Sequence, residues 1–146
     1  MKITYKGDYA LKTLLDLALN YGSGVVTINE LAKSADIPIK FLEQILLDLK
    51  RGGFVESKRG KIGGYFIAKH PSQIKVGDVV RFIDGPIEPI GCVEKNYLGC
   101  RDIHKCAFRR MWQDVSEAIS DIIDNVTFED LVNRVKEKPK VLNYVI

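Results

Sequence analysis

Ile37-Pro38-Ile39-Lys40-Phe41-Leu42-Glu43-Gln44-Ile45-Leu46, with Lys58-Arg59-Gly60-Lys61-Ile62-Gly63-Gly64-Tyr65 further along, decides how this chain folds. Pro38 disfavours the α conformation in the residue before it, so it ends one helix and lets another open at residue 39. Over residues 39–51 the spacing predicts Phe41, Leu42, Ile45, Leu46 and Leu49 inside, with Lys40, Glu43, Gln44, Asp48 and Lys50 outside. Upstream, Thr27 with Glu30 three residues on is a capping box, and Ile28, Leu31, Ala32 and Ala35 give a short helix its apolar face. Two short helices joined by a tight turn, the second with a polar outer face, are a helix-turn-helix candidate. Downstream, Gly52-Gly53 closes the helix, and Phe54-Val55-Glu56-Ser57 and Tyr65-Phe66-Ile67-Ala68 read as paired strands. The segment between them is too rich in glycine to pack and too basic to be merely a turn. A helix-turn-helix followed by a hairpin with a basic tip is a winged helix.

Working outward, Tyr9, Leu11, Leu14, Leu15, Leu17, Ala18 and Leu19 predict a first helix over residues 7–20, ended by Tyr21-Gly22-Ser23-Gly24. Val76, Val79, Val80 and Ile83 mark a helix over 76–84, stopped by Gly85-Pro86. Residues 87–103 have no strong periodicity and read as a loop. A longer helix is expected over 104–125, because Phe108, Met111, Trp112, Val115, Ala118, Ile119, Ile122 and Ile123 keep a three-and-four spacing. Such a stripe is either intramolecular core or a seam against a second copy of the chain. The seam is preferred, since a winged helix uses up its own core and many DNA readers of this size are two-fold symmetric. Phe108, Met111, Trp112, Val115, Ile119 and Ile122 are its candidate dimerisation residues. Thr127 caps a last short helix, and no usable pattern follows Pro139.

The fold expected is mainly α with a small β-hairpin: a winged helix-turn-helix DNA-binding domain over 1–84, a cysteine-bearing loop over 85–106, and a dimerisation helix with a C-terminal segment over 107–146. The chain of 146 residues and 16.5 kDa has ordinary hydrophobic content, 46%. Its apolar runs are broken by charge well short of a bilayer span, and no signal-peptide core is visible at the start, so a cytoplasmic protein is expected. Between Lys50 and Lys61 stand five cations and Glu56, a local +4, whereas the whole chain carries +3, so the remainder sums to −1. Concentrated positive charge of this kind suits a polyanion such as double-stranded DNA. Without a nucleotide-binding glycine motif or an acid-base constellation, neither an enzyme nor a small-molecule substrate is expected.

Cys92, Cys100 and Cys106 are the three cysteines of the chain, all within one short stretch. An odd count in a sequence without a secretory signal points to a metal or iron-sulfur site more readily than to a disulfide framework. A thiol redox switch or a zinc site is the alternative. On the outer face of the third helix, Gln44 suits adenine, Glu43 suits cytosine N4, and Lys40 suits a phosphate or guanine. Lys58 and Lys61 suit phosphates, and Tyr9 and Tyr65 can either donate hydroxyls to phosphates or pack under the wing.

The opening Lys2-Ile3-Thr4-Tyr5-Lys6-Gly7-Asp8-Tyr9-Ala10-Leu11, the run 37–46, the wing 59–65 and the cysteines before a long helix together resemble the Rrf-two family of bacterial regulators. The resemblance spans nearly the whole chain. It implies a homodimeric winged-helix transcription factor whose operator affinity is set by an iron-sulfur cluster, [2Fe-2S] or [4Fe-4S], sensing redox, nitric oxide or iron-sulfur status. It also implies DNA contacts by Glu43 and Gln44, and a minor-groove approach by Arg59. Some cluster-binding members take a fourth ligand from a histidine three residues after the last cysteine, where this chain has Arg109. Asp8, at the position from which an acidic residue of the other subunit ligates the cluster in some members, and His104 are the remaining candidates.

Overall fold

The structure is a computed structural model that describes residues 2–137; the segment beyond Pro139, for which the sequence offers no pattern, lies outside them. Helix α1, Tyr5–Leu19, starts earlier than its apolar spacing suggests, because Thr4 caps it: the Thr4 hydroxyl accepts the Gly7 N–H at 3.0 Å. Its inner face is Ala10, Leu14, Leu17 and Ala18. Helix α2, Ile28–Ala35, carries the expected capping box, with Thr27 N–H donating to the Glu30 carboxylate at 2.7 Å and Glu30 N–H donating to the Thr27 hydroxyl at 3.2 Å. The chain then turns through Asp36 in the left-handed region, φ 53°, and buries Ile37.

Helix α3, Ile39–Arg51, buries Leu42, Ile45, Leu46 and Leu49. Phe41 does not join them and is 50% exposed. It sits at the edge of the apolar stripe, where the α1 side of the helix opens to solvent. Asp48, expected outside, is mostly covered and ion-paired with Lys6 of α1 at 2.6 Å. The hairpin strands, β1 (Val55–Lys58) and β2 (Gly64–Ile67), are antiparallel and pair Val55 with Ile67 and Lys58 with Gly64. Each is displaced by one residue from its sequence expectation. At the tip, a side chain at Gly63 would lie 2.6 Å from the Lys58 carbonyl, so only glycine closes this turn.

Helix α4, Val76–Asp84, matches its expected span. Its last residue reaches back to the start of α1: the Asp84 carboxylate accepts from Thr4 N–H at 3.1 Å and from the Thr4 hydroxyl. A second extended helix, α5, Arg109–Asp124, begins later than the sequence suggests. Residues 101–105 form a turn instead, with Lys105 N–H donating to the Asp102 carbonyl at 2.9 Å. Its central residues, Asp102, Ile103 and His104, are weak helix formers, and α5 itself starts at Phe108 without a side-chain cap.

Helix α6, Phe128–Lys136, is capped by Thr127 and returns to the winged-helix core rather than staying with α5. Phe128 is fully buried and Val132 nearly so, in the same cluster as Leu14, Leu46 and Val79. Two backbone bonds pin the return: Val76 N–H to the Val126 carbonyl at 2.9 Å, and Phe128 N–H to the Ile74 carbonyl at 3.0 Å. The head is therefore built from α1 to α4, the hairpin and α6. Helix α5, by contrast, buries no residue. It is held to α4 by the Arg81 guanidinium, which donates to both Asp124 carboxylate oxygens at 2.6 and 3.0 Å and to the Ser120 hydroxyl at 3.3 Å. Gly77 permits this approach, since a side chain there would overlap the Asp124 carboxylate. Those hydrogen bonds hold the Asp124 carboxyl below the usual carboxylate range.

Candidate functional site

The outward face of α3 carries Lys40, Glu43 and Gln44, all exposed, as their spacing predicts. Gln44 Nε2 donates to Asp48 Oδ1 at 3.2 Å, and Asp48 is in turn held by Lys6. The hydrogen bond from Lys6 keeps the Asp48 carboxyl ionised below its ordinary range. An ionised Asp48 thus orients the Gln44 amide along the helix. Leu47, 44% exposed, and Arg51 share this face, though sequence reasoning did not single them out. Their signal was available: Lys40, Gln44, Leu47 and Arg51 follow one another at three-and-four spacing.

The wing presents Lys58, Arg59 and Lys61 to solvent, with Ile62 at the tip 84% exposed. Lys50 Nζ donates to the Ser57 hydroxyl at 2.6 Å, tying the end of α3 to β1 and so fixing the wing against the helix. Lys50, Lys58, Arg59, Thr27 and Tyr65 share a polar groove of about 440 Å³. Tyr65 is half-buried there, its backbone bridging that of Val26 through two bonds of 2.8 Å. Tyr9 is elsewhere. Its ring lies between Tyr5 and Phe41, at centroid distances of 6.4 and 6.5 Å, beside α3 rather than under the wing.

The three thiols sit on the segment between α4 and α5, and all are free. Cys92 is half-buried in a one-turn 3-10 helix, Gly91–Val93, and its carbonyl accepts from Arg109 Nε at 3.2 Å. Arg109 is thus a clasp between the loop and the start of α5. Cys100 and Cys106 are exposed. As donors, three unbridged thiols on one loop suit a thiophilic metal or an iron-sulfur cluster. Their positions in the single chain do not complete such a site: among the described residues no three His, Cys, Asp or Glu side chains converge to hold a metal. Asp8 lies in the first turn of α1, paired with Lys12 at 2.7 Å, and its hydrogen bond raises the Lys12 ammonium above its ordinary value. His104 is exposed in the turn 101–105. Neither is gathered with the thiols.

Of the expected seam residues on or beside α5, Phe108, Met111 and Ile122 are 66%, 46% and 67% exposed, while Trp112, Val115 and Ile119 are half-buried. No helix among the described residues is long and apolar enough to cross a membrane.

Residues 3–134 match the Rrf2 (Rrf-two) family, described as an iron-dependent transcriptional regulator. The transcriptional regulator IscR of Cronobacter sakazakii is 36% identical over 133 residues, covering 91% of this chain and 81% of that protein. Among solved structures, CymR, the global cysteine regulator of B. subtilis, superposes with a TM-score of 0.78 at 31% identity, over 91% of this chain and 97% of its own. IscR of T. potens does so at 0.76 and 28% identity, over 99% and 95%. Six α-helices and a basic hairpin in this order among the described residues, with these relatives, define a DNA-binding winged-helix transcriptional regulator. The chain belongs to the Rrf2 family.

Proposed function

We propose that the protein works as a homodimer on a two-fold operator, and that its affinity is governed by an iron-sulfur cluster held by Cys92, Cys100 and Cys106. Three unbridged thiols on a loop clasped to the dimer-helix candidate are the observation that carries this reading. Asp8 of the partner subunit or His104 would complete the ligand set. When bound, such a group supplies a redox- and nitric-oxide-responsive centre. The residues of this chain do the rest. Glu43 and Gln44 read base edges, Lys40, Lys58 and Lys61 meet phosphates, Arg59 reaches toward the minor groove, and Tyr65 supports the wing.

A second reading, a cluster-free regulator whose thiols form a redox switch or a zinc site, is favoured by the exposure of Cys100 and Cys106. Anaerobic purification separates the two. Stoichiometric iron and sulfide with visible absorption, lost in Cys92→Ala, Cys100→Ala and Cys106→Ala while each variant stays folded, supports the cluster. Full iron and sulfide in two of the three variants overturns the ligand assignment, and zinc or a reversible disulfide in their place supports the second reading. For the DNA side, replacing Lys58, Arg59 and Lys61 by alanine should flatten the log-log salt dependence of binding by roughly 2 to 3, about one per lost phosphate contact. An unchanged slope removes the wing from the interface.

A further inference from the structure

Beside the polar face of α3 lies an apolar groove that the charged residues do not account for. It measures about 360 Å³; Tyr5, Tyr9 and Phe41 form its aromatic walls, with Ile45 buried behind them and Lys6 and Gln44 as the remaining lining residues. Tyr5 is 83% and Phe41 50% exposed, so two large rings stand in water on the side of the protein that carries the DNA-reading candidates. The neighbouring charges limit what can cover them. Lys40 Nζ lies 5.5 Å from the Phe41 ring centre and has no carboxylate partner among the described ion pairs, so the rim carries an unneutralised cation suited to a polyanion.

A DNA major groove offers one apolar group for such a pocket, the 5-methyl of thymine. Gln44, at the same rim, has the amide that pairs with adenine N6 and N7, the partner of thymine. We propose that the groove between α1 and α3 receives a thymine methyl of the operator, with Phe41 as the specificity-determining residue and Tyr5 and Tyr9 as the walls. This inference rests on α3 being the helix that enters the major groove. It adds to a hydrogen-bonding code an apolar reading of the same or an adjacent A·T pair.

The test uses an operator selected from random duplexes by the unaltered protein, in which each thymine is replaced in turn by deoxyuridine, which lacks only the methyl. Wild-type affinity should fall about fourfold at one thymine per half-site, the factor expected for one buried methyl group. Phe41→Ala should bind the thymine operator more weakly and lose the deoxyuridine penalty, while Phe41→Leu, still apolar, should keep it. Wild-type indifference to every replacement overturns the proposal, as does an undiminished penalty in a folded Phe41→Ala. The deoxyuridine series on wild-type protein decides the matter even if that variant misfolds. Gln44→Ala selected in parallel separates the two levels. A motif unchanged from wild type defeats the recognition-helix reading itself, whereas a changed motif without a methyl effect defeats only the thymine pocket.

Discussion

The head and the segment from the thiol loop through α5 differ in how they use apolar side chains. In the head, Leu14, Leu31, Leu42, Leu49, Val79 and Phe128 have no exposed surface. Along α5, a helix of 16 residues with a continuous apolar stripe, nothing is buried. One part satisfies its hydrophobic surface within a single chain; the other spends specific polar anchors, Arg81 to Asp124 and Ser116 to the Ile87 carbonyl at 3.0 Å, to hold an apolar face in the open. The residues that stabilise the head and those of the exposed α5 stripe are thereby different sets.

Removing Phe128 should give the largest effect, because α6 belongs to the core of the head. Phe128→Ala is expected to lower unfolding stability by about 3 to 5 kcal/mol in urea titrations. A loss below ~1 kcal/mol would mean that α6 is an appendage and not part of the head. Next, Met111→Asp with Ile122→Asp puts charges on the exposed stripe of α5. If α5 is the seam, the dimer dissociation constant should rise at least about 30-fold, the ~2 kcal/mol of an interface hot spot, with little change in the melting of the head. Sedimentation reads the first quantity and circular dichroism the second; an unaltered dimer would move the seam elsewhere. The smallest effect is expected at the joint between the two parts. Arg81→Ala should cost about 1 kcal/mol near neutral pH, a modest figure because both partners are 37% exposed and screened. Asp124 has a depressed carboxyl pKa in the fold, so its contribution is complete above the ordinary value of 3.8 and is lost as pH falls through the folded value. The gap between wild type and Arg81→Ala should therefore close on acidification below that point, as urea titrations at successive pH values would reveal.

The reading of the head from sequence held wherever a residue imposes its own local geometry. Thr27 with Glu30, Pro38, and Gly85 mark boundaries that the structure keeps, because caps and breakers act through neighbouring backbone groups alone. Periodicity places Phe41 in the core because it gives a side of a helix, not the width of what covers it; α1 covers Ile45 and leaves Phe41 at the rim. The start of α5 differs from its expected place at 104 because the apolar spacing reaches back only to Phe108, and no side-chain cap marks the boundary. The place of α6 in the head was not legible at all, because Phe128 meets α1 across most of the chain and no local pattern encodes such a pairing. In the loop, the identity of the thiols was plain while their convergence was not. Ligand geometry depends on how an irregular segment is gathered, and the candidate ligand Asp8 stands on a different element altogether.

The return of α6 to α1 has a consequence for biosynthesis. More than a hundred residues separate the end of α1 from Phe128. At ~5–20 residues per second, the ribosome needs roughly 5 to 20 s to supply the helix that seals the head. During that interval α1 and its neighbours can form their local turns, but the apolar slot that Phe128 fills stays open on the nascent chain. Chaperone capture should therefore peak late in translation and fall sharply once α6 clears the exit tunnel.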